Sequence, residues 1–452
     1  MEPGYHRDGE TREGATGSEK DFADLLLERI LDKKGTIFKE KQGIDFTGRD
    51  ILSPSYRPDI ILHRDTQIKQ IIEYFVPCIN NNQSPGNMLI YGKTGTGKTL
   101  VTRHAAAKIV ENASKRGAAV PFITYINAKM YNTKYRILAK ICEDIGVFVP
   151  KTGIATDAIL DALKDVLKKA DKPLVSIIDE VDLLVRSREK DDLLYVLTRL
   201  AEDDPAVRVS IIGISNDLRF KTFLGIRVLS SLNAQEIVFQ PYQRSELVDI
   251  LKQRADLAFK EDVVDEGIVG AIATIAARED GDARKAIALL LKTGEVAEQE
   301  GAAFIDAEHL VKARDRLDLD TTESFLSTLP VQFQIVIIAI SNAQTHYKCS
   351  ANTGVILKIY HDLVKESEDF VSSIGLRRLL QILKDLNDQG ILDLAVVSNG
   401  RGRSSVVSMN LERSIIEHVF SKNQQLKKLL NYIPKMKCLD SFLGPSNDSN
   451  DL

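Results

Sequence analysis

The sequence predicts an α/β protein in three parts: a parallel sheet flanked by helices, a small all-helical segment, and a C-terminal unit of helices closed by a β-hairpin. Three observations carry this reading. Between residues 60 and 240, short apolar runs alternate with longer amphipathic patterns, as buried parallel strands and their crossover helices do. After Pro241 the strands stop and helical periodicity continues alone. Near Thr322 a third pattern begins, and two β-rich runs follow its helices.

Length and composition agree with that plan. At 452 residues the chain is too long for one compact core. A hydrophobic content of 44% with 27% charged residues excludes a largely disordered chain. No apolar run reaches the roughly 18 residues that span a bilayer, so no membrane association is expected. The N-terminus places Asp8, Glu10, Glu13 and Glu19 among Gly, Thr and Ser and lacks the apolar segment of a secretory signal, so a cytoplasmic location is expected. Cys78, Cys142, Cys349 and Cys438 are scattered without paired spacing, which suggests neither a zinc site nor a disulfide framework. The formal net charge of -4 gives no global positive field, so any nucleic-acid contact must come from locally basic surfaces.

In chain order, residues 1–20 are polar and Gly-rich and read as a flexible tail, and Phe22 to Leu31 has the spacing of a short helix. A connecting segment from Ile37 to Tyr56 ends in the turn signals Ser53-Pro54 and Arg57-Pro58. Strands are expected at Met88 to Tyr91, Phe122 to Asn127, Leu174 to Ile178, Val207 to Ser215 and Glu236 to Phe239. Helices follow at Ser245 to Phe259, Val263 to Ala277, Asp282 to Ala297 and Asp306 to Leu317. The third part has helices at Val331 to Asn342, Val355 to Val364 and Ser373 to Gln389, then strands Ile391 to Val397 and Ser404 to Met409 joined by Ser398 to Arg403. Such an order describes a winged helix-turn-helix. One more helix is expected over Leu411 to Tyr432. The implied domains are 1–35, a tail and short helix; 36–240, the α/β domain; 241–320, the helical domain; and 321–452, the winged helix with its C-terminal helix.

The loop Gly92-Lys93-Thr94-Gly95-Thr96-Gly97-Lys98-Thr99 fits G-x-x-x-x-G-K-[ST], follows an apolar strand and opens an amphipathic helix. Glycines 92, 95 and 97 let backbone amides approach phosphates, Lys98 offers a point charge to the β- and γ-phosphates, and Thr99 offers a hydroxyl to Mg²⁺. ATP or ADP with Mg²⁺ is the expected ligand. Asp179-Glu180 ends the strand Leu174 to Ile178, where α/β ligands sit. There Asp179 can hold the metal, directly or through water, and Glu180 can polarise the attacking water. Asn216, after the next strand, is placed either to orient that water or to cap a turn. Arg284, in the first turn of the helix that Gly281-Asp282 opens, either swings onto the γ-phosphate or lies on the surface.

With Asp179-Glu180, Asn216 and Arg284 following the P-loop in that order, the set resembles an AAA+ ATPase with its helical lid. The phrases Leu89 to Thr99, Asn132 to Ala139, Phe239-Gln240-Pro241-Tyr242 and Gly281 to Ala286 are similar to those of archaeal origin-recognition and helicase-loader initiators, over roughly residues 37–410. Pro58 to Gln67, with His63-Arg64, resembles that family's segment leading to the adenine pocket. The resemblance implies that Asp179 and Glu180 form the Walker B pair, Asn216 sensor 1 and Arg284 sensor 2, with Tyr242 at the nucleotide site. It also implies that residues 131–145 include a helical insert used against DNA. Leu224-Gly225-Ile226-Arg227-Val228 departs from the family pattern, which has Asp-Pro before Arg-Val, and Leu229 to Leu232 lacks the Ser-Arg-Cys of clamp loaders. Arg227 is the candidate arginine finger.

On the third helix of the C-terminal unit, Leu376, Leu379, Leu380, Leu383 and Leu386 share one face, while Arg377, Arg378, Gln381 and Lys384 lie off it. Such a helix either lies in a major groove or presents a solvated face. Arg401 and Arg403, among glycines at the hairpin tip, suit a minor-groove or backbone contact and favour DNA. Lys427, Lys428, Lys435 and Lys437 near the C-terminus touch phosphate or stay solvated. The expected function is ATP-dependent initiation of replication: binding double-stranded origin DNA, recruiting or loading the replicative helicase, with slow hydrolysis as a switch. Expected partners are origin DNA, the helicase, and a paralogous initiator or a second copy on DNA, in the cytoplasm at the nucleoid. A clamp-loader-like remodelling ATPase and a nucleotide-bound transcription regulator are the alternatives.

Overall fold

Five strands, β1 (Met88–Gly92), β2 (Phe122–Asn127), β3 (Leu174–Asp179), β4 (Val209–Ser215) and β5 (Gln235–Phe239), form one parallel sheet in the order β2-β3-β4-β1-β5. They are seen in a computed structural model that describes residues 36–40, 47–150, 153–185, 191–347, 351–366, 371–399 and 402–433. Because side chains alternate across a strand, Met88 and Ile90 face one layer of helices and Leu89 and Tyr91 the other. The first layer is built on Asp65–Asn81 and Lys98–Lys115, the second on Lys134–Asp144, Thr156–Ala170 and Asp191–Asp203. Burial on both faces makes β1, β3 and β4 continuous apolar runs, whereas the edge strand β5 exposes Val238.

Three helices follow the sheet, Arg244–Ala258, Glu266–Arg278 and Ala283–Gln299. The second starts later than the periodicity suggests, because Asp265 caps it and Val264 instead pairs with Ile305 in a short parallel bridge. Residues 36–40 belong with this layer. Phe38 stacks on Phe259 with ring centroids 4.7 Å apart, and Lys39 N–H donates to Ala258 O at 2.8 Å. Gly294 lies under both rings, where a Cβ would stand 2.7 Å from each. The expected helix at Phe22 to Leu31 lies outside the described residues.

The chain divides into two compact units within the helix Ala307–Thr328, between Ala313 and Arg314. In the second unit the helix Val331–Tyr347 is buried on nearly every side and is wrapped by Thr353–Glu366 and Leu376–Asp388. A three-stranded antiparallel sheet, β6 (Ala351–Asn352), β7 (Leu392–Asn399) and β8 (Gly402–Met409), runs in the order β6-β8-β7. Asn399 pairs with Gly402, so the hairpin connection is tighter than the six residues expected from Ser398 to Arg403. The strand β6 is too short to show in the sequence pattern. The single helix expected over Leu411 to Tyr432 is two, Arg413–Phe420 and Gln424–Leu430, because Asn423 accepts from Gln425 and Leu426 N–H and starts a new helix. No described helix is long and apolar enough to cross a membrane.

Candidate functional site

The phosphate loop begins where β1 ends, at Gly92, and runs into the helix Lys98–Lys115. Gly95 and Gly97 have φ of 72° and 90°, left-handed values that side chains disfavour. Their neighbours demand glycine independently. A Cβ on Gly95 would stand 1.7 Å from Asp282 Oδ1, and one on Gly97 2.9 Å from the Tyr242 hydroxyl. Lys93 and Thr94 are exposed, and Lys93 Nζ pairs with Asp280 at 2.5 Å. Thr96 is buried, its hydroxyl donating to Lys93 O. Lys98, 5% exposed, donates from Nζ to Gly92 O and Lys93 O, both at 2.7 Å. Burial lowers its pKa from 10.5 to about 8, helped by the nearby Arg284 charge and opposed by Asp179, Asp182 and Asp282.

The acidic side of the site is continuous with the loop. Thr99 Oγ1 donates to Asp179 Oδ2 at 2.8 Å, and Asp179, at the end of β3, is buried. The next residue, Glu180, is half-buried with φ of 55°, and its N–H donates to Asp179 Oδ1 at 2.9 Å. A left-handed non-glycine residue is a strained conformation of the kind found at working sites. Asn216 is exposed and follows Ser215. Since Ser215 pairs with Tyr91 and Ile214 with Asp179, Asn216 lies at the strand ends that lead into the P-loop and Glu180. Ser215 Oγ donates to the buried Asp182 at 3.0 Å, fixing the corner between them.

Above the loop sits a cleft of about 400 Å³, lined by Gly95, Gly97, Thr99, Tyr242, Ile250 and Arg284 among others. Its outer wall, Leu52 to Leu62, is pinned from the helix Arg244–Ala258: Gln253 donates to Ile60 O and the buried Arg254 to Ile51 O, each at 3.1 Å. The helix Ala283–Gln299 closes the cleft. Asp282 caps it by accepting from Arg284 and Lys285 N–H, and Ala283 N–H reaches Gly95 O at 3.3 Å, so exposed Arg284 stands beside Thr99's loop. Arg227, exposed on the helix Ile226–Leu232, is not among the residues lining this cleft. Hard oxygens at Thr99 and Asp179 suit Mg²⁺, which commonly completes its shell with water and substrate phosphates. Among the described residues no cluster of three or more His, Cys, Asp or Glu could hold a metal by itself.

In the second unit Arg377, Arg378, Gln381 and Lys384 are all exposed on the helix Leu376–Asp388. The buried stripe opposite is Leu379, Ile382, Leu383 and Leu386; Leu376 and Leu380, expected in it, are 49% and 39% exposed. They sit at the margin of the stripe. Gln381 donates to Asp385 at 2.8 Å, and the Arg378 guanidinium lies 5.9 Å from the Phe333 ring centre. Arg403 lies in β8, and Arg401 lies outside the described residues.

Residues 81–221 match the model of the AAA domain, residues 248–315 that of the Cdc6 AAA+ ATPase-type lid domain, and residues 325–419 that of the CDC6 C-terminal winged helix domain. The chain is 37% identical over 415 residues to an ORC1-type DNA replication protein of Thermococcus kodakarensis, covering 91% of this chain and 97% of that one. The chain belongs to the ORC1-type DNA replication protein family. An ORC1-type DNA replication protein 1 of Methanosarcina acetivorans is 36% identical over 412 residues, 90% of this chain and 96% of that one. The solved structure of the Aeropyrum pernix ORC1 protein in complex with DNA is 35% identical, with a TM-score of 0.73 over 84% of this chain and 98% of that one. The two units of this ORC1-type chain are thus an AAA+ ATPase domain with its lid, and a winged helix. Two residues at its nucleotide cleft escaped the sequence reading of their chemistry. Buried Arg64 donates to Thr96 O at 3.0 Å and Gln240 O at 2.8 Å and lies 3.8 Å from the Tyr242 ring centre, clamping the loop to the start of the lid. Tyr125, on β2, donates to Asp179. Arg64 stands in the His63-Arg64 phrase that the sequence marks, but its clamp on Thr96 and Gln240 does not show there, and Tyr125 carries no local signal.

Proposed function

We propose that this ORC1-type protein is an ATP-dependent replication initiator: it binds double-stranded origin DNA, and its nucleotide state governs recruitment or loading of the replicative helicase, with slow hydrolysis as the switch. The carrying observation is the seating of the lid helix on the P-loop, with Ala283 N–H against Gly95 O and Arg284 beside the loop. A lid that touches the phosphate loop at its N-terminus couples γ-phosphate occupancy to domain position. In this reading Gly92 to Thr99 and Tyr242 hold the nucleotide, Lys98 meets the phosphates, Glu180 draws the proton of the attacking water, Asn216 orients that water, and Arg284 senses the γ-phosphate. Thr99 and Asp179 hold Mg²⁺, which neutralises charge on the phosphate oxygens. Arg227 is kept as the candidate finger supplied to a neighbouring paralogue or second copy. The exposed basic residues of Leu376–Asp388, with Arg401 and Arg403 of the hairpin, meet DNA, as do residues of the insert 131–145, whose helix Lys134–Asp144 is capped by Thr133. That a relative's structure holds DNA supports the reading. A location in the cytoplasm at the nucleoid follows from it.

The test is a pair of substitutions at the cleft. Lys98→Ala is expected to abolish nucleotide binding, whereas Glu180→Gln is expected to retain ATP without splitting it, with turnover lowered by roughly 10²-fold or more, the scale of a lost general base. Radiolabelled ATP retention and product release measure both. Hydrolysis by Glu180→Gln at the parent rate would remove Glu180 from the role of base.

A further inference from the structure

Asp179 has more partners than the P-loop accounts for. Its Oδ2 accepts two hydroxyls, Thr99 at 2.8 Å and Tyr125 at 2.5 Å, while Oδ1 accepts the Glu180 N–H at 2.9 Å. Tyr125 reaches it from the neighbouring strand, where Tyr125 pairs with Ile177 and Asn127 with Asp179, so the phenol leans two residues along the sheet toward the carboxylate. Its ring is covered by Arg103, whose guanidinium lies 3.8 Å from the ring centre and whose side chain lines the nucleotide cleft. A half-buried phenylalanine would fill the same space; the hydroxyl is what the packing does not need.

We propose that Tyr125 is a positioning residue for the metal-holding carboxylate, fixing Asp179 by its Oδ2 so that the carboxylate keeps its orientation whatever Thr99 does. The proposal rests on the reading of Asp179 as the Mg²⁺ ligand. A carboxylate fastened at both oxygens presents its remaining lone pairs in one direction, which is how groups behind a metal ligand tune affinity. With the phenol removed, Oδ2 is left to Thr99 alone while the Glu180 N–H still holds Oδ1, so the carboxylate turns about that one backbone bond as Thr99 moves.

Tyr125→Phe isolates the hydroxyl, because it keeps the ring and the Arg103 contact. The experiment follows release of a fluorescent ADP analogue from the full chain by stopped flow, in EDTA and across a Mg²⁺ titration. In the parent, Mg²⁺ should slow release with a defined midpoint. In Tyr125→Phe the midpoint should rise about tenfold, the lower end for loss of a partner behind a metal ligand, while the release rate in EDTA and the thermal midpoint of the nucleotide-free protein match the parent. An unshifted Mg²⁺ midpoint overturns the role of Tyr125 and leaves the nucleotide site standing. Faster release in EDTA by the same factor as in Mg²⁺ marks a packing defect and also overturns it. Release from the parent that ignores Mg²⁺ removes Asp179 as a metal ligand, and the proposal with it.

Discussion

Lys98 is a cation held where its charge is disfavoured: it is buried, Arg284 stands close, and the carboxylates of Asp179, Asp182 and Asp282 recover only part of the loss, leaving its pKa near 8 against 10.5 for a free lysine. A folded-state value below the unfolded one makes this residue a liability to stability wherever both states are protonated, below about pH 8, and that liability fades as pH climbs from about 8 toward 10.5. Binding has the opposite dependence. If Lys98 meets the phosphates as proposed, a polyphosphate supplies the missing counter-charge, so the nucleotide prefers the protonated amine and must draw a proton from solvent once pH exceeds about 8. ADP affinity, titrated by fluorescence in steps from pH 7 to 9.5, should be level up to the Lys98 pKa and then fall, approaching tenfold per pH unit for one proton taken up. A level profile across the whole range would mean that Lys98 does not meet the phosphates.

The contact between the lid helix Ala283–Gln299 and the P-loop is made by Asp282 and Gly95 together, which makes it measurable as a coupling. Asp282→Ala removes the cap that satisfies Arg284 and Lys285 N–H and should cost about 1 kcal/mol. Gly95→Ala imposes a left-handed side chain, worth about 1 kcal/mol, and also drives its Cβ into Asp282, displacing the same cap. The double variant should therefore be more stable than the sum of the single effects predicts, by about 1 kcal/mol in urea unfolding. Strict additivity would show that lid and loop do not meet in solution. This junction also marks the limit of what the sequence discloses. The loop motif, the strand ends and the acidic pair are local patterns, and β2 runs over Phe122–Asn127 as its short apolar run indicates. Arg64 is different: the two acceptors that make the clamp, Thr96 O and Gln240 O, lie 32 and 176 residues away, so only folding reveals it. Tyr125 reads as one more aromatic in a buried strand until its hydroxyl is found on Asp179. Leu376 and Leu380 have the spacing of core residues, yet both stay exposed and Ile382 is buried in the stripe instead. The helical periodicity after Leu411 hides the Asn423 cap, because a cap interrupts the chain without breaking the apolar spacing around it.

In the proposed reading, a chain of formal net charge -4 must concentrate its positive charge to hold DNA, and the exposed Arg377, Arg378 and Lys384 of one helix are its proposed place. Overall charge repels the duplex, so affinity must come from few, well-placed phosphate contacts, and its salt dependence counts them. Log affinity for duplex DNA should fall linearly with log salt, with a slope of about -0.9 for each phosphate neutralised. Arg401→Ala with Arg403→Ala should flatten that slope by about two contacts' worth if the hairpin tip tracks the backbone, and weaken binding to all sequences alike. Arg377→Ala should act differently. An arginine that reads a base edge contributes about 1–3 kcal/mol of discrimination and little to the slope, so its loss should erode preference for origin sequence while the salt dependence stays nearly parallel to the parent's. Binding isotherms for the parent and both variants, on origin and scrambled duplexes at four or more salt concentrations, separate the two roles. A hairpin variant with the parent's slope would take the wing out of the interface, and an Arg377 variant that keeps the parent's sequence preference would make Leu376–Asp388 a solvated face.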